Sequence, residues 1–372
     1  MFVGPLLGAA LLLSESALAA RPRPFIHTDS PEWMAREGVT DQVAPWEDGL
    51  RHDTGSGNFE WWYFDAHFDD GSSAVINFLT KRILKRRKGL QPKMEITFTP
   101  AGGQPQQDWT FPDAKTFSAA EDHCEITLGK SWVKGDLETY QLHVEGDFLS
   151  GDLTFTRQGP SWRPGAGKVY FNEEATEYLG WVVAVPYGHV EGTLTWRDGT
   201  TQQVNGHGYH DHNWGNTSLN RVLDSWIWGR SHNGDYTVLF FDATGSRKWG
   251  HEHLRFFLLA KEEEVLIPGA RAVQVTTGEF IDDIQKKGRP YATVIDIDAD
   301  TDPRAHVVLT DPAILERQDL LDGVPWLLRG AVRHFTNPWY YRFGAHQELS
   351  VQGEHTTDTV EGEAIYEFML FR

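Results

Sequence analysis

The chain has 372 residues, enough for two domains of ordinary size, and its 40% hydrophobic content excludes a disordered protein. With 53 acidic against 34 basic residues the formal net charge is −19, which argues against a nucleic-acid partner because phosphates need a basic surface. A single cysteine, Cys124, excludes an internal disulfide framework, so hydrophobic cores must carry the stability.

In chain order, residues 1–20 read as an export signal. Residues 6–13 form a short apolar core, and Ala17-Leu18-Ala19 fits a small-residue cleavage site. Pro5 and Glu15 leave the stretch too short and interrupted to span a bilayer, and no later segment reaches that length. The expected location is therefore secreted, periplasmic or within a secretory pathway. Residues 21–58 are rich in Pro, Gly, Asp and Ser and read as irregular, with residues 21–45 an arm before the first domain. From Phe59 the text alternates through Phe68, turns at Asp69-Asp70-Gly71-Ser72 and resumes over 73–79, a hairpin signature. The basic run 81–88 reads as a solvated loop, with contact to anionic lipid as the alternative.

Further strands are expected at 95–99, 141–146, 151–157, 194–196, 236–241, 253–260, 291–298 and 363–370, and helices only at 218–223 and 311–319. Short strands separated by turn signals predict barrels or sandwiches. Each half holds an aromatic-rich strand, an acidic residue and a Gly turn, at 61–65 and 226–242, so two consecutive β-domains are expected over 46–220 and 221–372. Fifteen tryptophans and 21 phenylalanines fit either an aromatic-lined cavity or generous core packing.

The chemistry concentrates in Gly206-His207-Gly208-Tyr209-His210-Asp211-His212-Asn213-Trp214-Gly215. If this is extended, His210 and His212 share one face and Asp211 takes the other. The flanking glycines permit unusual dihedrals or close packing. Two imidazoles on one face can hold a metal, position a general acid and base, or satisfy buried groups, and spacing leaves all three open. His251 and His253, around Glu252, repeat the geometry and would complete a zinc site. Glu60 shares a face with Trp62 and Phe64, and Asp65 shares one with Trp61 and Tyr63. Either carboxylate is a shifted acid or, as favoured here, an ion-pair partner of Arg51 or Arg230, and Arg230 could instead orient an oxygenated substrate. Tyr366 is expected to close a barrel. Asn216-Thr217-Ser218 is a glycosylation sequon beside the motif.

The string Gly208 to Gly215 resembles the hallmark of the carotenoid 1,2-hydratase (hydroxyneurosporene synthase) and AttH-like family. Phe59-Glu60-Trp61-Trp62-Tyr63-Phe64-Asp65 and Gly362-Glu363-Ala364-Ile365-Tyr366-Glu367 are also similar to it, and the resemblance runs from about Trp46 to the end. It implies an all-β chain of two consecutive lipocalin-like domains, barrels or sandwiches, with a pocket at or near their junction. It further implies cofactor-independent proton-transfer chemistry on a hydrophobic terpenoid or polyene: alkene hydration, cyclisation or epoxide rearrangement. Carried over by motif, His212 and Trp214 fall in His212-Asn213-Trp214, with His210 beside them, and the proton donor falls on Asp242. There Phe240 stands where the hydratase pattern has Tyr, a departure from true carotenoid hydration. Asp242 is otherwise a turn residue before Ala243-Thr244-Gly245. Trp214, and with it Trp61, Trp62, Trp226 and Trp228, would face a carbocation. Glu60, Asp65, Asp211, Asn213, Arg230 and Phe240 would surround the substrate. Two alternatives stand beside this: a carrier of lipid or pigment, and a metal-dependent hydrolase built on the paired His-x-His segments.

Overall fold

A computed structural model describes residues 21–81, 87–285, 289–319 and 338–371. The export-signal segment and residues 82–86 of the basic run lie outside the described residues. The chain is nearly all β, in two antiparallel sheets that each curl into a half-barrel. The thirteen-stranded first sheet runs from edge strand Gln106–Thr110 through Ser73–Leu79, Phe59–Phe68, Thr201–Gly215 and Tyr178–Trp196 to Phe117–Ala119. The nine-stranded second sheet runs from Glu264–Ile267 through Tyr236–Gly245, Leu223–Asn233, Thr357–Leu370, Trp339–Gln352 and Arg304–Asp319 to Val273–Asp282. The chain passes from one sheet to the other between Gly215 and Leu223, through the one-turn helix Leu219–Val222 expected there.

Three apolar cores follow from the pleat, which sends alternate residues to opposite faces. Trp62, Phe64, Ala66 and Phe68 fill the first half-barrel, and Ile227, Val238, Phe240, Tyr366 and Phe343 fill the second. The third core lies between the sheets, where Trp181, Val183 and Tyr209 meet Trp228, Leu239, Phe256 and Met369. Strands at this junction are buried on both faces, which is why Trp181-Val182-Val183-Ala184-Val185 is a continuous apolar run.

Residues 59–68 and 73–79 form the expected hairpin, with Trp61 opposite Leu79 and His67 opposite Ser73. Two expectations are corrected. The segment 311–319 is strand, not helix, within Arg304–Asp319. Pro312 has no N–H to donate, and it sits where the register shifts between Thr310 and Ala313, with Asp311 at φ 51. The segment 21–45 holds a helix, Pro31–Glu37, opened by Pro31 and closed by Gly38 at φ 72. Among the described residues no helix is long and apolar enough to cross a membrane.

Candidate functional site

The strand Thr201–Gly215 pairs with Phe59–Phe68 on one side and Tyr178–Trp196 on the other, at the centre of the first sheet. None of Gly206, Gly208 and Gly215 has a left-handed φ, so close approach is the reason for them. An added Cβ would meet the carbonyl oxygens of His67, Asp65 and Tyr178 at 2.0, 2.4 and 2.7 Å.

Alternate residues of this strand enter two different environments. His210 and His212 point into the first half-barrel and are fully buried. His210 Nδ1 lies 2.9 Å from the Tyr63 carbonyl and its Nε2 3.1 Å from Asp48 Oδ2, so an acceptor stands at each nitrogen. His212 Nε2 lies 2.8 Å from Glu60 Oε1 and its Nδ1 3.5 Å from Asp48 Oδ1. The Tyr140 hydroxyl donates to Asp48 at 2.6 Å, and the Arg51 backbone N–H donates to Glu60 at 2.7 Å. Phe64 stacks on His210 and Trp62 on His212, with centroids at 3.8 and 4.5 Å. Burial would raise the Asp48 carboxyl, but the two imidazoles hold it below the usual range.

Cys124 joins Asp48 and His210 to put three possible ligand atoms within 4.8 Å of one another. The group is enclosed, and none of its members lines the cavity described next, so a metal there could not meet a substrate in that cavity. The four-histidine site is not assembled. His251 pairs with Asp224 at 3.1 Å and His253 with Asp242 at 2.8 Å, both at the second sheet.

The other face of the strand looks onto a cavity of about 280 Å³ between the sheets. Trp61, Trp181, Trp226, Trp228, Phe241 and Phe256 supply aromatic walls, and Asp211, Asn213 and Glu367 supply polar groups. Asp211 accepts from Trp181 Nε1 at 2.8 Å, the Tyr209 hydroxyl at 2.8 Å and Asn213 Nδ2 at 2.7 Å. Burial nevertheless pushes its carboxyl up to about 6 against those three donors. Glu367 stands opposite Trp228 in the ladder and accepts from the Tyr340 hydroxyl at 2.6 Å. Burial pushes it up to about 7, opposed by Arg342. The buried Trp228 N–H has no hydrogen-bond partner among the described residues.

Of the residues expected at a site, the cavity gathers Trp61, Asp211, Asn213, Trp226 and Trp228. It does not gather Asp242, which pairs with His253 and Arg255 (3.2 Å) on the face of its strand opposite to Phe241. Nor does it gather His210, His212, Trp62 and Glu60, which face inward, or Phe240, which belongs to the second core. Trp214 packs over Gly180, where a Cβ would come within 2.1 Å of the indole. Asp65 and Arg230 pair with each other, as the ion-pair reading expected. Asn216 is held by Thr176 O and the Tyr178 N–H. Sequence reading passed over Glu367 as a site residue. The available signal was an acid between Tyr366 and Phe368, alternate to the core position of Tyr366.

Two curled antiparallel β-sheets packed around a small aromatic cavity make this an all-β, lipocalin-like protein. Residues 56–370 match the Svf1 family, and the chain belongs to it. The quinolone epoxide rearrangement protein AsqO of Emericella nidulans is 24% identical over 276 residues, 66% of this chain and 69% of that protein. The acyclic carotenoid 1,2-hydratase of Thiocapsa roseopersicina is 24% identical over 241 residues, and the match spans 60% of this chain and only 56% of the hydratase. Among solved structures, an AttH protein of Nitrosomonas europaea superposes with a TM-score of 0.61 at 14% identity, covering 88% of this chain and 96% of its own. Kievitone hydratase of Nectria haematococca superposes at 0.56 and 14% identity, covering 89% and 93%. These likenesses bear out the lipocalin-like fold and the resemblance to the hydratase and AttH group.

Proposed function

We propose that the protein is an enzyme that transforms an apolar small molecule by proton transfer in the junction cavity, with Glu367 as general acid and Asp211 as general base. The observation that carries this reading is the pair of elevated carboxyls set in aromatic walls. Two titratable groups with different elevated values near neutrality are the arrangement acid–base chemistry needs. Near pH 6.5 Glu367 keeps a large protonated fraction and Asp211 a large ionised one. Glu367 gives its proton to an alkene carbon or an epoxide oxygen. The positive charge that develops on carbon faces the rings of Trp61, Trp226 and Trp228. Asp211, oriented by Tyr209, Trp181 and Asn213, takes a proton from an attacking water or from the neighbouring carbon. This chemistry uses no group beyond the chain's own side chains. It moves the acid role from Asp242, tied to His253 and Arg255, to Glu367.

The names of the relatives, an epoxide rearrangement protein, a carotenoid hydratase and a kievitone hydratase, support an alkene or epoxide of terpenoid, polyene or polycyclic type. The cavity lies just below the usual range for drug-sized ligands, so a compact substrate, or the end of a long one, fits it. Export is part of the proposal, and N-terminal sequencing of the mature protein tests it, with Ala20 expected first. The deciding experiment is incubation with a panel of terpenoid alkenes and epoxides followed by mass and stereochemical analysis. An isomer or a hydrate (+18 mass units) supports the enzyme. Bound compounds returned unchanged across the panel would favour a carrier.

A further inference from the structure

Glu367 has a cation beside it in the sheet and does not pair with it. The strands Trp339–Gln352 and Thr357–Leu370 place Arg342 directly opposite Glu367, and Arg304–Asp319 places Glu316 on its other side. Directly opposed side chains stand roughly 4.5–5.5 Å apart at Cβ, within easy reach of an ion pair. The Arg342 guanidinium instead crosses the junction: Nη2 donates to Asp65 Oδ2 at 3.2 Å and lies 3.2 Å from His67 Nε2. Asp65, fully buried in the first sheet, also takes the fork of Arg230 and the Tyr63 hydroxyl at 3.3 Å. Glu367 is left with a neutral donor, the Tyr340 hydroxyl.

We propose that Asp65 is a positioning residue: by holding Arg342 and Arg230 across the junction it keeps a guanidinium from pairing with Glu367 and leaves that carboxyl able to carry a proton. This deepens the reading of Glu367 as the acid and rests on it. The charged and titratable groups near Glu367 are Arg342 on the adjoining strand, Glu316 one strand beyond it, Tyr340, and Asp65 and Tyr63 from the first sheet. A buried guanidinium deprived of its carboxylate turns to the carboxyls in register with it, Glu367 on one side and Glu316 on the other, and an ion pair to Glu367 favours the charged form of both partners. His67 cannot substitute for Asp65, since burial and the two neighbouring arginines keep its ring neutral.

The test is an infrared titration of the Glu367 carboxylic C=O band in the full chain, assigned by its loss in Glu367→Gln. Wild type is expected to titrate near 7. In Asp65→Asn the midpoint falls by at least one pH unit, a tenfold shift in the ionised-to-protonated ratio, and the alkaline limb of the pH–rate profile moves with it. In an Arg342→Met background the same change leaves the midpoint nearly still. An unmoved midpoint in folded Asp65→Asn overturns the proposal. So does an equal fall with Arg342 absent, since Asp65 would then not act through the arginine. Should Asp65→Asn not fold, Arg342→Lys decides: it keeps the charge and loses the Nη2 that reaches Asp65, so the midpoint is expected to fall, and no change overturns the idea. If the midpoints move as described while Glu367→Gln retains full turnover, the positioning role stands and the acid role of Glu367 falls.

Discussion

His212 and Asp211 are neighbours in one strand, and their surroundings differ more than any other adjacent pair at the site. His212 and His210 are enclosed in the first half-barrel with Asp48 and Glu60, two imidazoles set against two carboxylates beneath stacked rings. Asp211 and Glu367 border a cavity and are pushed up by burial with neutral donors as their hydrogen-bond partners. Paired charges inside a core fix a conformation; unpaired acids at a cavity wall are available for proton transfer. The hallmark string therefore carries two jobs on its two faces. The histidines tie residues 45–48, whose Asp48 reaches them, into the first barrel, and the alternate residues Asp211 and Asn213 face the cavity.

Substitutions on the two faces should separate these jobs. The largest effect is expected on turnover. Glu367→Gln and Asp211→Asn, isosteric at the cavity, should each lower kcat by roughly 10²–10⁴-fold, the usual worth of a general acid or base, with the thermal midpoint close to wild type. Asp48→Asn should do the reverse. It leaves His210 and His212 without their shared anion, for a loss of about 3–5 kcal/mol in stability, while the fraction still folded keeps its kcat. Chemical denaturation alongside steady-state kinetics checks both. A folded Asp48→Asn with kcat reduced a hundredfold would erase the distinction.

Much of this was legible in the sequence, and the failures have a common cause. The Asp-Gly turn between two runs of β-favouring residues declared the Phe59–Leu79 hairpin, and the two-residue period of a strand put His210 and Asp211 on opposite faces. The Asp65–Arg230 pair was one of the ion pairs expected of a carboxylate set beside aromatic rings. Which face of a strand meets the junction is set by how the two sheets pack, and strands buried on both sides carry no alternation to show it. So Trp62 and Trp61 could not be told apart as core and cavity, nor Asp242 and Glu367 as ion pair and cavity acid. Pro312 is absorbed by a bulge, so the sixteen-residue strand that contains it was expected in part as a helix over 311–319.

pH sharpens the comparison with a smaller effect. Activity is expected to fall as pH rises through about 7, where Glu367 loses its proton, and to fall again below about 6, where Asp211 gains one. Stability follows the protons. Glu367 moves from 4.5 unfolded to about 7 folded, so the folded state holds the extra proton between those values. Its contribution is greatest below 4.5 and is lost as pH rises toward 7, about 3 kcal/mol in all at 1.36 kcal/mol per unit. Glu367→Gln removes that slope and should be the more stable protein at pH 8. His67, His207 and His232 act oppositely. Burial holds each folded ring below 6.5, so the unfolded chain takes up their protons first and stability declines as pH falls below 6.5. Denaturation at pH 5, 6.5 and 8 for wild type and Glu367→Gln isolates the carboxyl from the histidines, and parallel curves for the two proteins would contradict its elevated value.

The smallest expected effect lies between Trp61 and Trp62, adjacent residues of one strand. Trp61 lines the cavity, whereas Trp62 stacks on His212 and donates its indole N–H to the Asp48 carbonyl at 2.9 Å. A tryptophan face stabilises a nearby cation better than a phenylalanine face, by about 0.5–1 kcal/mol. Trp61→Phe should thus lower kcat by roughly two- to fivefold with stability nearly unchanged. Trp62→Phe removes the Asp48 bond and leaves a gap in the first core, so it should cost about 1–3 kcal/mol of stability and leave kcat where it was. Equal effects of both substitutions on kcat would mean that the two faces of the strand are coupled, and that the histidine cluster takes part in the chemistry after all.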